Sequence, residues 1–334
     1  ATPPDFGTNF PQTVTHILQK AIFKHALGKN LKKSQIYGNF SIGKMVITMK
    51  KQGLILEGGA TRGVFTAGVL DYLMEQDCYF PYVVGVSAGA CNAIDYVSRQ
   101  KGRTRECMII REKQYSYLNK DLKKMLRNKS LFDMDMIFDR FPREIFPFDF
   151  ETYFSSSIQC QLVVTNCITG KAEYMEEKSD KERLLAIARA SSSMPLASPM
   201  VYVDRVPYLD GGISDSIPII HSLKTGHQKN VIVLTRNYGY RKKIKSHTKE
   251  LYLAAYRKYP NLARALISRA RVYNRTLDLI EKWELQGRVY VIRPQIPPVS
   301  RVEQNYEVLT NFYQHGYDRM KEQYDEMMTF LNGK

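Results

Sequence analysis

The stretch from Gly53 to Gly102 limits this chain more than any other. A short apolar run (GLILE) leads into a glycine-rich turn, Gly58-Gly59-Ala60-Thr61-Arg62-Gly63, and then a helical stretch, RGVFTAGVLDYLMEQ. A second apolar run (YVVGV) comes next and hands over to Gly85-Val86-Ser87-Ala88-Gly89 and another helical stretch. Two buried strands joined by one helix pair in parallel, and the crossover between them is right-handed. Such a unit brings the carboxyl ends of both strands to one edge of the sheet. The glycine turn and Ser87 are therefore expected side by side.

The same alternation continues. Later strand candidates are QCQLVVTN, VYV, VPYL, VIVLTR and RVYVIRP, with helical tracts between them. This order predicts an α/β fold with a central, mostly parallel sheet and flanking helices. A long helical tract over 248–286 is interrupted at Pro260, and a last helix is expected from about Glu307 to Leu331. The basic residues Arg257, Lys258, Arg264, Arg269, Arg271 and Arg275 give this tract a cationic surface. Residues 1–44 differ in being polar and basic, with an amphipathic helical pattern between Gln12 and Leu31 and no signal-peptide pattern. They read as an appended N-terminal extension. Residues 45–240 read as the catalytic core, and 241–334 as the part that completes the same domain.

A serine at a strand-to-helix turn needs small neighbours, because the bend brings its backbone close to adjacent segments. Gly85 and Gly89 meet that need and Ser87 is the candidate nucleophile. The turn at 58–63 has neither the G-x-G-x-x-G spacing nor the Lys-Ser/Thr pair of a phosphate loop. Its backbone amides are instead suited to a tetrahedral oxyanion, at about 3–4 kcal/mol per donor. For the base, none of the six histidines sits in a motif, whereas Asp210 ends an apolar run and precedes Gly211 and Gly212. His221 comes later in the order Ser, Asp, His, so an α/β-hydrolase triad stays open on the residues alone. Against it, Ser87 comes only one helix after its oxyanion-like loop. Ser191-Ser192-Ser193 lacks flanking glycines and reads as a wall or helix end.

Metal and disulfide chemistry are not expected. The five cysteines are scattered without CxxC pairs or Cys/His clusters. Asp133, Asp135 and Glu144 have the spacing of a calcium loop, but Ile137 and Phe138 stand where an oxygen ligand and a glycine are required.

Glycine loop, G-x-S-x-G and D-G-G occur in that order, and the chain resembles the bacterial patatin-like phospholipases from about Gln52 to residue 330. LEGGATRGVFTAGVLDYL, GVSAGACNA, YRKYPNLARALISR and VYVIRPQIPPVSR carry the resemblance. It implies a three-layer patatin-like fold and a serine–aspartate dyad without histidine: Ser87 as nucleophile, Asp210 as base, no cofactor. It implies an oxyanion hole at Gly58, Gly59, Ala60 and Gly63, with Arg62 at the motif's basic position. The substrate it implies is a phospholipid, lysophospholipid or other carboxylic ester. The chain departs once, with Ala60 in place of the third glycine. Alanine tolerates positive φ poorly, so a second reading is a weakly active or inactive lipid-binding protein.

The net charge of +16 calls for an anionic partner or a heavily solvated surface. No zinc-finger, RNP or helix-turn-helix pattern is present, so nucleic acid is not expected. Anionic membrane is the expected peripheral contact, at about 1 kcal/mol per basic residue near its surface. The thiols and the lack of a long apolar run predict a cytoplasmic protein.

Overall fold

In the computed structural model of the protein, residues 51–118, 130–243 and 248–333 are described. Packing divides the chain into Ala1–Met49 and Lys50–Lys334. The extension expected over 1–44 lies outside the described residues, which all belong to the second unit.

The first strand, β1 (Gln52–Leu56), is followed by a turn of 3-10 helix at Ala60–Arg62 and by α1 (Gly63–Glu75). Next come β2 (Tyr82–Val86), α2 (Ala88–Val97) and α3 (Arg103–Met108). A π-helical segment, Met136–Ile145, contains Pro142, which lacks the N–H a regular helix would use there. The chain continues through α4 (Phe150–Ser155), β3 (Gln159–Asn166), β4 (Ala172–Met175) and α5 (Lys181–Ser192). Then come β5 (Val201–Val203), β6 (Val206–Asp210), α6 (Ile219–Lys224) and β7 (Lys229–Val233). Last are α7 (Thr248–Ala255), α8 (Pro260–Leu285), β8 (Val289–Ile292) and α9 (Tyr306–Asn332).

The sheet runs β5-β6-β3-β2-β1-β7-β8, with β4 also paired to β3. The pairs β1–β2, β1–β7, β2–β3 and β7–β8 are parallel, while β3–β4, β3–β6 and β5–β6 are antiparallel. Every residue of β1 and β2 is buried, as expected of central strands covered on both faces. The fold is α/β with a mostly parallel sheet between helices. The sequence pattern does not reveal β4, a four-residue strand half-buried throughout; it carries no run of buried apolar residues to mark it.

Helix α9 lies against α1 with almost no side chain between them. A Cβ at Gly68 would stand 2.1 Å from Tyr313 O, and one at Gly316 only 2.0 Å from Phe65 O. Around this contact, Tyr313 Oη donates to Asp71 Oδ2 at 2.6 Å, and Phe65 meets Phe312 at 5.6 Å between ring centroids. The helix that starts at the glycine loop is thus held by the last helix of the chain.

Helix α8 begins at Pro260 as expected, since proline's missing N–H is no loss at a first helical position. Its expected cationic surface needs a correction. Arg257, Lys258, Arg264, Arg271 and Arg275 are exposed, but Arg269 turns inward and donates from Nε to Gly212 O at 2.5 Å. Arg269 lies in the row Leu262, Leu266, Tyr273, Leu277, Ile280, which is the buried stripe of the helix.

Candidate active site

Strand β3 aligns the two residues that matter most. Val86, the last residue of β2, pairs with Val163, and Asp210, the last residue of β6, pairs with Val164. The strands that carry Ser87 and Asp210 flank β3 and meet it at adjacent residues, although the two are far apart in sequence. Both line the same cleft, with Gly58, Gly59, Ala60, Arg62 and Gly212.

At Ser87 the backbone takes φ 57° and ψ −124°, a strained conformation for a residue with a side chain, worth about 1–3 kcal/mol. The glycines around it are there for space. A Cβ at Gly85 would come within 2.3 Å of Gly89 O, and one at Gly89 within 2.3 Å of Leu56 O. The serine triplet has a larger role than a wall. The Ser87 amide donates to Ser191 Oγ at 2.9 Å, and that hydroxyl donates in turn to Val163 O at 2.7 Å. The Asp210 amide donates to Ser193 O at 2.8 Å. One helix end thus pins the backbone of both residues. Asp210 Oδ1 accepts from Gly212 N at 2.7 Å, and Gly211 sits so tightly that a Cβ would be 2.2 Å from Val163 O. Among the described residues the Ser87 hydroxyl makes no hydrogen bond, to Asp210 or to any other group.

The glycine loop rests directly on this bend. A Cβ at Gly58 would meet Val86 O at 2.7 Å and Ser87 Cβ at 2.8 Å, and one at Gly63 would meet Ala88 Cβ at 2.9 Å. Because the Ser87 amide is already bonded to Ser191, the donors left for an oxyanion are those of the loop. The amides of Gly58, Gly59 and Ala60 make no hydrogen bond among the described residues. Glu57 anchors the loop's start: it is buried and accepts from Thr235 N at 2.7 Å, Thr235 Oγ1 at 3.0 Å and Tyr273 Oη at 2.6 Å. The far side is tied to the segment after β8, where Thr61 Oγ1 donates to Ser300 O and Arg62 Nε to Val299 O.

Ala60 adopts φ 52°, so the position does take the left-handed conformation and the alanine bears it under strain. Ala60→Gly is expected to stabilise the protein by roughly 0.5–1 kcal/mol, since glycine reaches this conformation without a Cβ clash. Thermal denaturation checks this, and a lower Tm in the variant would contradict it.

Two cavities meet at Ser87, Ala60 and Met194. One is apolar, with about 940 Å³ of empty space including its open mouth, lined by Met108, Tyr117, Phe132, Phe138, Phe141 and Phe148 among others. Ile137 and Phe138, the two residues that break the calcium spacing, both line it. Cys91 and Cys107 also face it, and burial raises both thiols, Cys91 to about 11. The other cavity is the polar cleft, whose cationic residues are Arg62, Arg236, Lys242, Arg269 and Arg301.

His221 lines neither cavity. Its ring stacks on Tyr174 at 3.4 Å and its Nε2 bonds Gln161 Oε1 at 2.8 Å, so the serine–aspartate–histidine alternative has no geometric support. All five cysteines are free, and among the described residues no group of acidic, histidine or cysteine side chains is arranged to hold a metal.

A family profile described as Patatin-like phospholipase matches residues 54–223, about half of the chain. The chain belongs to this family. A second profile, Domain of unknown function (DUF6363), matches residues 259–332. The patatin-like region holds the glycine loop, Ser87 and Asp210, while the second region brings Arg269, Tyr273 and Arg301 to the same cleft. Uncharacterized protein YjjU of Escherichia coli (strain K12) is 30% identical over 189 residues, 54% of this chain and 51% of that protein. The chain thus spans about half the length of this curated relative. VipD from Legionella pneumophila aligns in its crystal structure with a TM-score of 0.45 and 12% identity, over 85% of this chain and 67% of that one.

Sequence reasoning singles out Ser87, Asp210 and the loop, and Ser87, Asp210, Gly58, Gly59, Ala60 and Arg62 line the cleft. Gly63 needs a correction: its amide is turned back onto Ala60 O and Thr61 O to close the 3-10 turn, so it does not line the cleft and offers no donor to an oxyanion. Sequence reasoning misses Ser191 and Ser193 as backbone anchors, and Glu57, Arg236, Lys242 and Arg301 altogether. The sign for Glu57 is its place between a buried strand and the glycine turn, where an unpaired charge would be expensive.

Proposed function

We propose that the protein is a lipid acyl hydrolase in which Ser87 attacks an ester carbonyl and Asp210 serves as base. The observation that carries this reading is the junction at Ser87. An apolar cavity suited to an acyl chain and a polar cleft holding Asp210 and unbonded loop amides meet at one strained serine.

In the first step the Ser87 Oγ–H bond breaks as Oγ adds to the carbonyl carbon, and Asp210 takes the proton. The amides of Gly58, Gly59 and Ala60 hold the oxyanion. Collapse expels the alcohol, which leaves with the proton from Asp210, and the acyl group stays on Ser87. Water then adds to the acyl-enzyme, again losing its proton to Asp210, and the fatty acid departs as Ser87 recovers its hydrogen. Arg62, buried in the wall of the cleft, would favour an anionic substrate. The exposed basic residues of α8 support peripheral contact with anionic lipid, and among the described residues no helix is long and apolar enough to cross a membrane.

A non-catalytic lipid binder is the competing reading, favoured by the strain at Ala60 and by the unbonded Ser87 hydroxyl. A fluorophosphonate probe separates the two. Labelling of the parent that disappears in Ser87→Ala is expected; an unlabelled parent would favour the binder.

A further inference from the structure

The polar cleft holds more positive charge than the reaction itself requires. Arg62, Arg236, Lys242, Arg269 and Arg301 come from four separate parts of the chain and line one space with only two carboxylates, Glu57 and Asp210. Glu57 accepts from Thr235 and Tyr273 and offsets part of the charge on Arg62 and Lys242, but two carboxylates do not balance five cations. Among the described residues none of the five cations forms an ion pair. Arg62 and Arg269 each spend only Nε on a backbone carbonyl, leaving their terminal nitrogens without an acceptor.

The cations strain one another. Burial, then Arg236 and Arg301, bring Arg62 down to about 10. Burial, then Arg269, lowers Lys242 well below the usual lysine range. Gathering like charges away from water is unfavourable unless an anion completes the site, and forked guanidinium groups suit phosphate oxygens best.

The cleft is equally unsuited to a cationic head group. A quaternary ammonium needs an open aromatic face or a spare carboxylate. Here the Tyr240 ring is covered by Arg236 at 4.3 Å and the Tyr273 ring by Lys242 at 3.5 Å. The remaining carboxylate is Asp210, the proposed base.

The geometry points to a subsite for a phosphate monoester, so that the preferred lipid is a phosphatidate or lysophosphatidate, with its acyl chain in the apolar cavity and its phosphate among the five cations. This rests on the hydrolase reading, which makes the occupant an ester. Choline lipids are excluded by the same cluster.

Binding to full-length Ser87→Ala protein, which does not turn over, tests this by calorimetry with dihexanoyl phosphatidate, dihexanoyl phosphatidylcholine and inorganic phosphate. Phosphatidate is expected to bind tighter than phosphatidylcholine by about tenfold or more, the scale of one charge-assisted bond. That preference should shrink in Arg236→Gln and Arg301→Gln and return in Arg236→Lys; both sites lie outside regular elements, and circular dichroism checks the fold. Equal binding of the two lipids, or a preference that survives the double Arg236→Gln/Arg301→Gln change, would overturn the proposal. Inorganic phosphate binding as tightly as the lipid would overturn the head-group assignment in favour of free phosphate. Failure of the hydrolase reading is distinguishable: the parent would then hydrolyse no ester while the binding preference stood.

Discussion

Asp210→Asn is expected to lower kcat/KM for ester hydrolysis about a thousandfold or more, roughly 4 kcal/mol of transition-state stabilisation. Asparagine has nearly the same volume and keeps an oxygen for the Gly212 amide, which Asp210 Oδ1 accepts at 2.7 Å. The backbone bond from residue 210 to Ser193 O is unaffected by the change. What disappears is the ability to take the Ser87 proton. The lost charge also deprives Arg269 and Lys242 of a favourable neighbour, so Tm should fall, but only by a few degrees. In parallel, His221→Ala should leave the rate unchanged, since that ring is engaged with Tyr174 and Gln161. Rates of hydrolysis of a short-chain ester by the purified variants measure both. An Asp210→Asn enzyme within tenfold of the parent would remove this residue from the mechanism.

The largest expected loss of stability comes from Gly316→Ala. The added methyl would stand 2.0 Å from Phe65 O and 2.8 Å from Phe65 C. Both neighbours are backbone atoms of α1, so no side chain can rotate away. The helices must separate, which strains the Tyr313–Asp71 hydrogen bond and the edge contact of Tyr72 with Tyr317 at 5.3 Å. A loss of about 3 kcal/mol is expected, at the upper end for overpacking. In a domain of this size that lowers Tm by about 6 °C or more. Activity should fall as well, because α1 begins at the glycine loop and carries it along. Asp210→Asn and Gly316→Ala therefore separate cleanly: one loses rate with the fold kept, the other loses both. A Gly316→Ala protein with the parent's Tm would show that α1 and α9 do not meet as closely as described.

Much of the site is legible in the sequence because its signals are local. The glycine turn, the serine between glycines and the apolar runs on either side lie within one βαβ unit, where spacing alone dictates which ends meet. Even the unusual Ala60 is readable as a position under strain, and its φ of 52° agrees. Arg269 is misread because a basic residue on a helix is usually solvated. Its row with Leu266 and Tyr273 carries the opposite message, but only the neighbouring D-G-G turn makes an inward arginine favourable. The serine triplet is noticeable without its purpose, since nothing in three serines says which amide each will hold.

From sequence alone came the parallel βαβ unit with its loop and bend, because the right-handed crossover and the need for glycine where backbones touch are properties of short segments. The tertiary structure alone decided that Asp210 and Ser87 would line one cleft, through two strand registers on β3. It alone gathered five cations from distant segments into one cleft. Register and long-range convergence depend on which surfaces pack together, and no spacing along the chain encodes that directly.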